Sequence, residues 1–348
     1  MLAAKLYGPG DIRLMQCEIP KIGEEEVLLK TAVTAVCGTD LRMIRNGAAG
    51  VDDQHPLVPG HEISGTIARV GSRVKGYREG MRAAVAPNMG CGTCGHCISG
   101  NTHLCRDYQA LGIQMDGGFA EYVRIPAPAV RQGNLFILDD SVPIQTAAMF
   151  EPASCVMNGQ EQIQVGLNDQ VLIIGAGPIG ILHGLIAKAR GAAGVWIRDL
   201  SEERMRQCVK PAPFLRPLPG EHLKEAVMEA TGGKGMDVCI VACPSAEAQA
   251  EALELMNMNG RILYFGGLPG GRDQVTLSTN LIHYRQLKIC GSARGNLRHY
   301  REVAAMAAAG MLDLQNIVTD EFLLSDFQEA IAHAAKGSGL KTVITFDI

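Results

Sequence analysis

The sequence predicts an α/β protein built from a barrel-like β unit and a doubly wound parallel sheet covered by helices. Three observations carry this reading. Short β-type runs broken by glycine and proline fill the first part of the chain. From about residue 156, apolar strands alternate with alanine-rich helical runs, the pattern of a parallel sheet. The first of those strands runs directly into the turn Gly175-Ala176-Gly177-Pro178-Ile179-Gly180 and a long apolar helix.

The β unit is read from Glu26–Val33, Ser64–Val70 and Arg82–Ala86, punctuated by turn dipeptides such as Gly71-Ser72 and Glu79-Gly80. The parallel sheet is read from Gln170–Ile174, Gly194–Arg198, Met236–Ala242, Gly260–Phe265 and Leu287–Cys290, with a helix over Ala246–Met256. Four prolines between Cys208 and Pro219 make that connection short and stiff. The tail predicts a helix around His299–Ala309. A second helix follows, opened by Ser325 and Gln328 as a capping box, and then the strand-like run Lys341–Phe346.

At 348 residues the chain has room for about two domains. With 32 Lys and Arg against 36 Asp and Glu, the net charge of −4 argues against nucleic acid as a partner, because phosphate binding needs a basic surface. The start Met1-Leu2-Ala3-Ala4-Lys5 lacks a signal-like apolar segment. The apolar stretch Val171–Ala187 is interrupted by glycines and His183, so it reads as strand, turn and helix and not as a membrane span. These features predict a cytoplasmic protein. In that reducing compartment the 11 cysteines are expected as metal ligands or packed thiols, not disulfides.

The glycine turn fits G-x-G-x-x-G in the context that pattern requires, after a strand and opening a helix. Gly175 makes the turn, Gly177 lets a pyrophosphate approach the backbone, and Gly180 allows close helix packing. The helix start at Pro178 offers free amides to phosphate. Asp199 closes the next strand, where a carboxylate would bind the ribose hydroxyls and favour NAD over NADP.

Cys91, Cys94, Cys97 and Cys105 follow a C-x2-C-x2-C-x7-C spacing among Gly90, Gly92, Gly95 and Gly100. Four thiolates close a tetrahedral shell without an open position, the mark of a structural zinc, with an iron–sulfur cluster as the alternative. His96 and His103 read as solvated loop residues. A second, dispersed set comprises Cys37-Gly38-Thr39-Asp40, Gly60-His61-Glu62 and Glu151-Pro152.

Together with Asp116-Gly117-Gly118-Phe119-Ala120-Glu121-Tyr122 and Gly291-Ser292-Ala293-Arg294, these elements resemble the zinc-dependent medium-chain alcohol/polyol dehydrogenase family. The likeness is greatest to its sorbitol, threonine and galactitol-phosphate dehydrogenase branch. The resemblance implies a GroES-like β-barrel catalytic domain formed by residues 1–155 and 291–348. A Rossmann-type NAD-binding domain over 156–290 would be inserted in it, with the active site in the cleft. It implies a catalytic zinc held by Cys37, His61 and Glu62, with Glu151 either binding zinc or holding its water. Asp40 would orient the zinc-binding imidazole, and Thr39 would take the substrate proton. Ile179, Asp199, Arg204, Gly266, Gly267 and Leu268 would contact NAD. Two zinc ions per chain and a homotetramer or homodimer are expected.

The chain departs from that family at the substrate end. Arg42 stands where many relatives carry a proton-relaying histidine, and arginine stays protonated. Met43 and Gly295 replace tyrosines of sorbitol-type members, whereas Arg294 is kept. Arg42, Met43 and Arg294 are therefore the expected substrate contacts. The implied reaction is hydride transfer between NAD and a secondary alcohol or ketone, a polyol or sugar alcohol first. A polyol phosphate, a 1,2-diol or threonine are alternatives, and a non-catalytic binding protein on the same fold is the competing reading. Of the remaining cysteines (17, 155, 208, 239, 243 and 290), most are expected as small buried hydrophobes.

Overall fold

The computed structural model describes residues 1–347. The chain forms two compact units. Met1–Ser154 joins the chain from Gly295 onward in one, and Cys155–Arg294 forms the other.

In the first unit a seven-stranded sheet is organised around Val27–Ala35. Glu62–Val70, Tyr122–Ile125 and Lys341–Thr345 all pair with this strand antiparallel. Its residues alternate only weakly and are buried almost throughout, as suits a strand covered on both faces. Val27, Leu29, Ile63, Ile67 and Val85 pack on one side of the sheet. Phe119 and Phe327 meet edge to face at 5.1 Å in a second cluster with Ala3, Leu6 and Ile344. The register sets Ala35 opposite both Glu62 and Val343. The residues just beyond these positions, Cys37 and His61, are thereby delivered to one end of the sheet together with Lys341.

The second unit is a six-stranded, wholly parallel sheet in the order Arg216–Pro217, Gly194–Arg198, Gln170–Ile174, Met236–Val241, Met256–Tyr264, Lys288–Gly291. The order reverses between Gln170–Ile174 and Met236–Val241, which is where doubly wound sheets bind ligands. The apolar core joins Leu172, Ile174, Cys239, Val241 and Ile262 with Val227 and Leu253 of the covering segments.

Several elements differ from the sequence expectation for identifiable reasons. The helix expected over Ala246–Met256 stops at Glu251, continues as a 3-10 turn Ala252–Leu255, and passes into strand at Met256, four residues before Gly260. A register shift between Met236↔Met256 and Val238↔Arg261 accommodates the extra residues, and Asn259 takes φ 58° there. The capping box does not form. Asp326 precedes the helix Phe327–Lys336 without a side-chain cap, and the Gln328 amide donates to the Ile12 carbonyl at 2.9 Å. The proline-rich connection leaves a two-residue strand, Arg216–Pro217, at the sheet edge, where proline is tolerated. Gly291 pairs with Tyr264 in the parallel sheet, so residues 291–294 lie in the second unit. Among the described residues no helix is long and apolar enough to cross a membrane, and Val171–Ala187 divides into strand Gln170–Ile174 and helix Pro178–Ala189.

Candidate zinc and dinucleotide sites

Helix Gly38–Asn46 begins immediately after Cys37, whose backbone is extended at φ −101° and ψ 153°. Asp40, the third helical residue, turns its carboxylate back into the protein. Its Oδ2 accepts from the Cys37 amide at 2.8 Å, and its Oδ1 lies 3.2 Å from His61 Nδ1 and accepts from the Gly60 amide at 3.3 Å. Gly60 holds φ +91°, and a side chain there would strike Thr34 and Phe119. The Gly60-His61-Glu62 turn is thus set by close packing.

These elements bring one ligand atom each of Cys37, His61 and Glu62 within 4.8 Å of one another. Glu62 is fully buried. Its Oε1 accepts a 2.8 Å hydrogen bond from Lys341 Nζ. Its Oε2 lies 2.6 Å from the same nitrogen, so both carboxylate oxygens face the ammonium beside the Cys37 thiol and the His61 imidazole. That donor set suits zinc, and it has the open position of a catalytic site. Burial works against charge on His61, but Asp40 and Cys37 outweigh it and hold its pKa well above the usual value. For Lys341, burial is likewise outweighed, chiefly by Glu62, and its pKa is raised.

The four-cysteine lobe is also assembled. The Sγ atoms of Cys94 and Cys97 are 3.5 Å apart, Cys94 and Cys105 3.8 Å, and Cys91 and Cys97 4.0 Å. Zinc–sulfur bonds of about 2.3 Å in a tetrahedron place sulfurs about 3.8 Å apart. The Thr93 hydroxyl and amide, with the Cys94 amide, lower the Cys91 pKa to about 6, and burial raises Cys97 to about 12. Gly90 is required at its position, because a Cβ there would stand 2.5 Å from Cys97 Sγ.

In the other unit the glycine turn has its expected form. Gly175 is at φ +119°, and a methyl on Gly180 would collide with the Gly175 carbonyl. A methyl on Gly177 would meet nothing within 4 Å, so the backbone there is open to a phosphate. Gly177 precedes helix Pro178–Ala189, with proline in its first turn. Asp199 Oδ2 accepts from the Ala176 amide at 2.8 Å and Oδ1 from the Ser201 amide at 2.9 Å, which ties the acidic residue to the turn.

Residues 23–132 match the family described as alcohol dehydrogenase GroES-like domain, and residues 178–309 match that described as zinc-binding dehydrogenase. Sorbitol dehydrogenase of Bacillus subtilis is 30% identical over 349 residues, covering 99% of this chain and 97% of that protein. L-threonine 3-dehydrogenase of Colwellia psychrerythraea is 32% identical, covering 98% of each. The chain belongs to the zinc-dependent medium-chain alcohol and polyol dehydrogenase family. An alcohol dehydrogenase of Escherichia coli CFT073 complexed with NADH superposes with a TM-score of 0.88 at 27% identity, over 99% of both chains.

As a member of that family, the chain has a GroES-like domain and a Rossmann-type sheet, and its two cysteine-containing clusters fit a structural and a catalytic zinc. The structure also revises several residue assignments. Glu151 is buried in the first turn of helix Phe150–Gln162 but lies outside the Cys37, His61, Glu62 group. Met43, expected against substrate, is 6% exposed and packs in the apolar cluster with Leu6, Val36 and Phe327, because it falls on the inward face of its helix. Arg42 is exposed on the same helix, with Nη2 3.5 Å from Thr39 Oγ1. Arg294 is exposed at φ 58°, its carbonyl held by Asn158 Nδ2 at 2.7 Å.

Ile179, Gly266 and Leu268 are partly buried, while Arg204 and Gly267 are exposed. Gly266 runs so close to the backbone of Cys243 that a side chain would not fit. His103 is not a solvated loop residue. It is buried, with its ring edge-on to His299 at 6.3 Å, whereas His96 is exposed. Of the six spare cysteines only Cys208 and Cys239 are fully buried.

Two residues of the site carry no local sequence signal. Lys341 reaches Glu62 across 279 positions. Tyr300, buried against Phe136 and Phe150, has its pKa raised by burial and then by Glu151 and Glu62.

Proposed function

We propose that this chain transfers hydride between NAD and a secondary alcohol or ketone, with a polyol or sugar alcohol as the first substrate class. The observation that carries the reading is the convergence of Cys37, His61 and Glu62, with Asp40 behind His61. Cys37, His61 and Glu62 would hold the catalytic zinc, and Cys91, Cys94, Cys97 and Cys105 the structural one. When bound, zinc supplies Lewis-acid polarisation of the substrate oxygen, and NAD supplies the hydride acceptor.

The remaining work falls to side chains of the protein. Thr39, half-buried on the first turn of its helix, receives the hydroxyl proton. Arg42 beside it cannot relay that proton, because guanidinium stays charged, so release would need water or a hydroxyl of the bound cofactor. Glu151, buried in the first turn of its helix, either binds the metal directly or holds the zinc-bound water. Asp40 keeps the His61 lone pair on Nε2. Gly175, Gly177 and Gly180 shape the pyrophosphate turn, and Asp199 takes the adenosine ribose hydroxyls. Ile179, Arg204, Gly266, Gly267 and Leu268 complete the NAD contacts. The permanent charge of Arg42 next to Thr39 favours a second reading in which the substrate carries phosphate or carboxylate, as a polyol phosphate or threonine does. We place the enzyme in the cytoplasm as a homotetramer or homodimer, on its likeness to the family.

The test is NADH formation with polyols, polyol phosphates, 1,2-diols and threonine, before and after verified removal of metal. Turnover with one class and its loss on chelation are expected. No signal from any substrate would favour a binding protein on this fold, and undiminished turnover in metal-free protein would remove the catalytic zinc.

A further inference from the structure

Lys341 brings a full positive charge into the group that the proposed function assigns to zinc. Its side chain is 6% exposed and that of Glu62 is 0% exposed. Strand Lys341–Thr345 is fixed on both sides, parallel to Val318–Leu323 and antiparallel to Val27–Ala35, and the Thr342 carbonyl accepts from the Val36 amide at 3.0 Å. The ammonium is therefore a built part of the site and not a surface side chain that happens to fold inward.

An ammonium 2.8 Å from Oε1 and 2.6 Å from Oε2 sits astride the carboxylate. That is the position a cation takes when it uses both oxygens at once. A metal ion at Cys37 and His61 would have to share this carboxylate with a neighbouring like charge. A carboxylate offers about four lone-pair sites, so sharing is sterically possible but electrostatically opposed. Without metal, the same ammonium offsets the cost of burying Glu62, since an unpaired buried carboxylate is strongly unfavourable.

We propose that Lys341 and the catalytic metal ion compete for Glu62: the lysine holds the carboxylate in place when metal is absent and weakens its bond to metal when metal is present. Lys341 is then a positioning residue that makes Glu62 an exchangeable ligand. This rests on the catalytic-zinc reading given above.

The experiment is chelator competition on zinc-loaded protein, with melting temperature measured for loaded and metal-free forms. It is run on the wild type, Lys341→Met, Lys341→Arg, Glu62→Gln and the double variant Glu62→Gln with Lys341→Met. Wild type should hold two zinc ions per chain. Lys341→Met should hold the catalytic zinc at least about tenfold tighter while its metal-free form melts lower, so zinc raises its melting temperature more than that of wild type. Lys341→Arg, which keeps the charge, should stay near wild type. In the Glu62→Gln background the lysine change should no longer tighten zinc.

Unchanged or weaker zinc binding in folded Lys341→Met overturns the proposal, as does tightening that persists without the Glu62 carboxylate. If Lys341→Met does not fold, the double variant must fold, because it has lost both charges; failure of that variant also overturns the proposal. Wild type holding zinc only in the cysteine lobe would instead overturn the catalytic-zinc reading itself.

Discussion

Asp40 Oδ1 stands 3.2 Å from His61 Nδ1, with both side chains buried, while its other oxygen accepts from the Cys37 amide at 2.8 Å. One carboxylate thus orients two of the three converging donors. Nδ1–H directed at Asp40 leaves the Nε2 lone pair for a metal. Asp40→Asn is expected to weaken the catalytic zinc by roughly 10–100-fold and leave the cysteine-lobe zinc in place. Counting zinc per chain after dialysis against a mild chelator checks this; retention of both ions would contradict it.

Thr39 and Arg42 separate proton transfer from metal binding. Thr39→Val should lower kcat by roughly 10²–10⁴-fold at unchanged zinc content, the range for a lost proton-transfer group. Arg42→His introduces a group that titrates near neutrality, and turnover at low pH should rise. An unaltered pH profile would count against the release route given above.

Asp199 is held by two backbone amides, one of them in the glycine turn. Asp199→Ser should raise KM for NAD by about tenfold or more, one hydrogen-bonded charged group being worth about 1.5–3 kcal/mol. It should also improve NADP relative to NAD, because the carboxylate that repels a 2′-phosphate is gone. Initial rates with both cofactors decide it, and an unchanged NAD to NADP ratio would remove Asp199 from the ribose site.

Gly90 gives a sharper test of the lobe than a cysteine change. A Cβ there would sit 2.5 Å from Cys97 Sγ and 3.0 Å from the Thr102 carbonyl, so Gly90→Ala must displace a zinc ligand. The variant should lose one zinc per chain and melt several degrees lower by calorimetry. Full zinc content at an unchanged melting temperature would show that the lobe relaxes freely.

His183 predicts acid sensitivity in the dinucleotide-binding unit. It is fully buried, edge-on to Phe265 at 4.7 Å, with Nε2 unpartnered, and burial lowers its pKa to about 3. Unfolded histidine titrates near 6.5, so between about 6.5 and 3 the unfolded chain binds a proton that the folded chain refuses. Stability from this group is complete above about pH 6.5. It falls by about 1.4 kcal/mol for each unit below that. Melting temperature measured from pH 7 to pH 4.5 should drop more steeply in wild type than in His183→Leu. Parallel curves would refute the assignment.

Much of this protein is legible in its sequence because its chemistry is local. The glycine turn, Asp199 and the four-cysteine lobe depend on spacing within one strand, turn or loop, and Gly194–Arg198 forms at the boundaries read from the sequence. Thr39 and Asp40 stand in the short run Cys37-Gly38-Thr39-Asp40, which the family resemblance singles out. What escapes depends on contacts distant in sequence. Position in a motif points Met43 at substrate, but the face of its helix turned toward Leu6 and Phe327 decides its burial. His103 has the local surroundings of a loop residue, and its partner, His299, is nearly two hundred positions away. Lys341 lies in a strand-like run whose register alone brings it to Glu62. Ser325 fits the capping pattern, but a 3-10 turn over Leu324–Asp326 moves the helix start beyond its reach.

The separation of 279 positions between Glu62 and Lys341 also has a consequence in time. A ribosome adding roughly 5–20 residues per second finishes the carboxylate on the order of half a minute before it adds the ammonium. Throughout that interval Val27–Ala35 lacks its neighbour Lys341–Thr345, and Glu62 lacks its counter-ion. The buried carboxylate therefore meets its counter-ion only once the last strand of the first unit has been made.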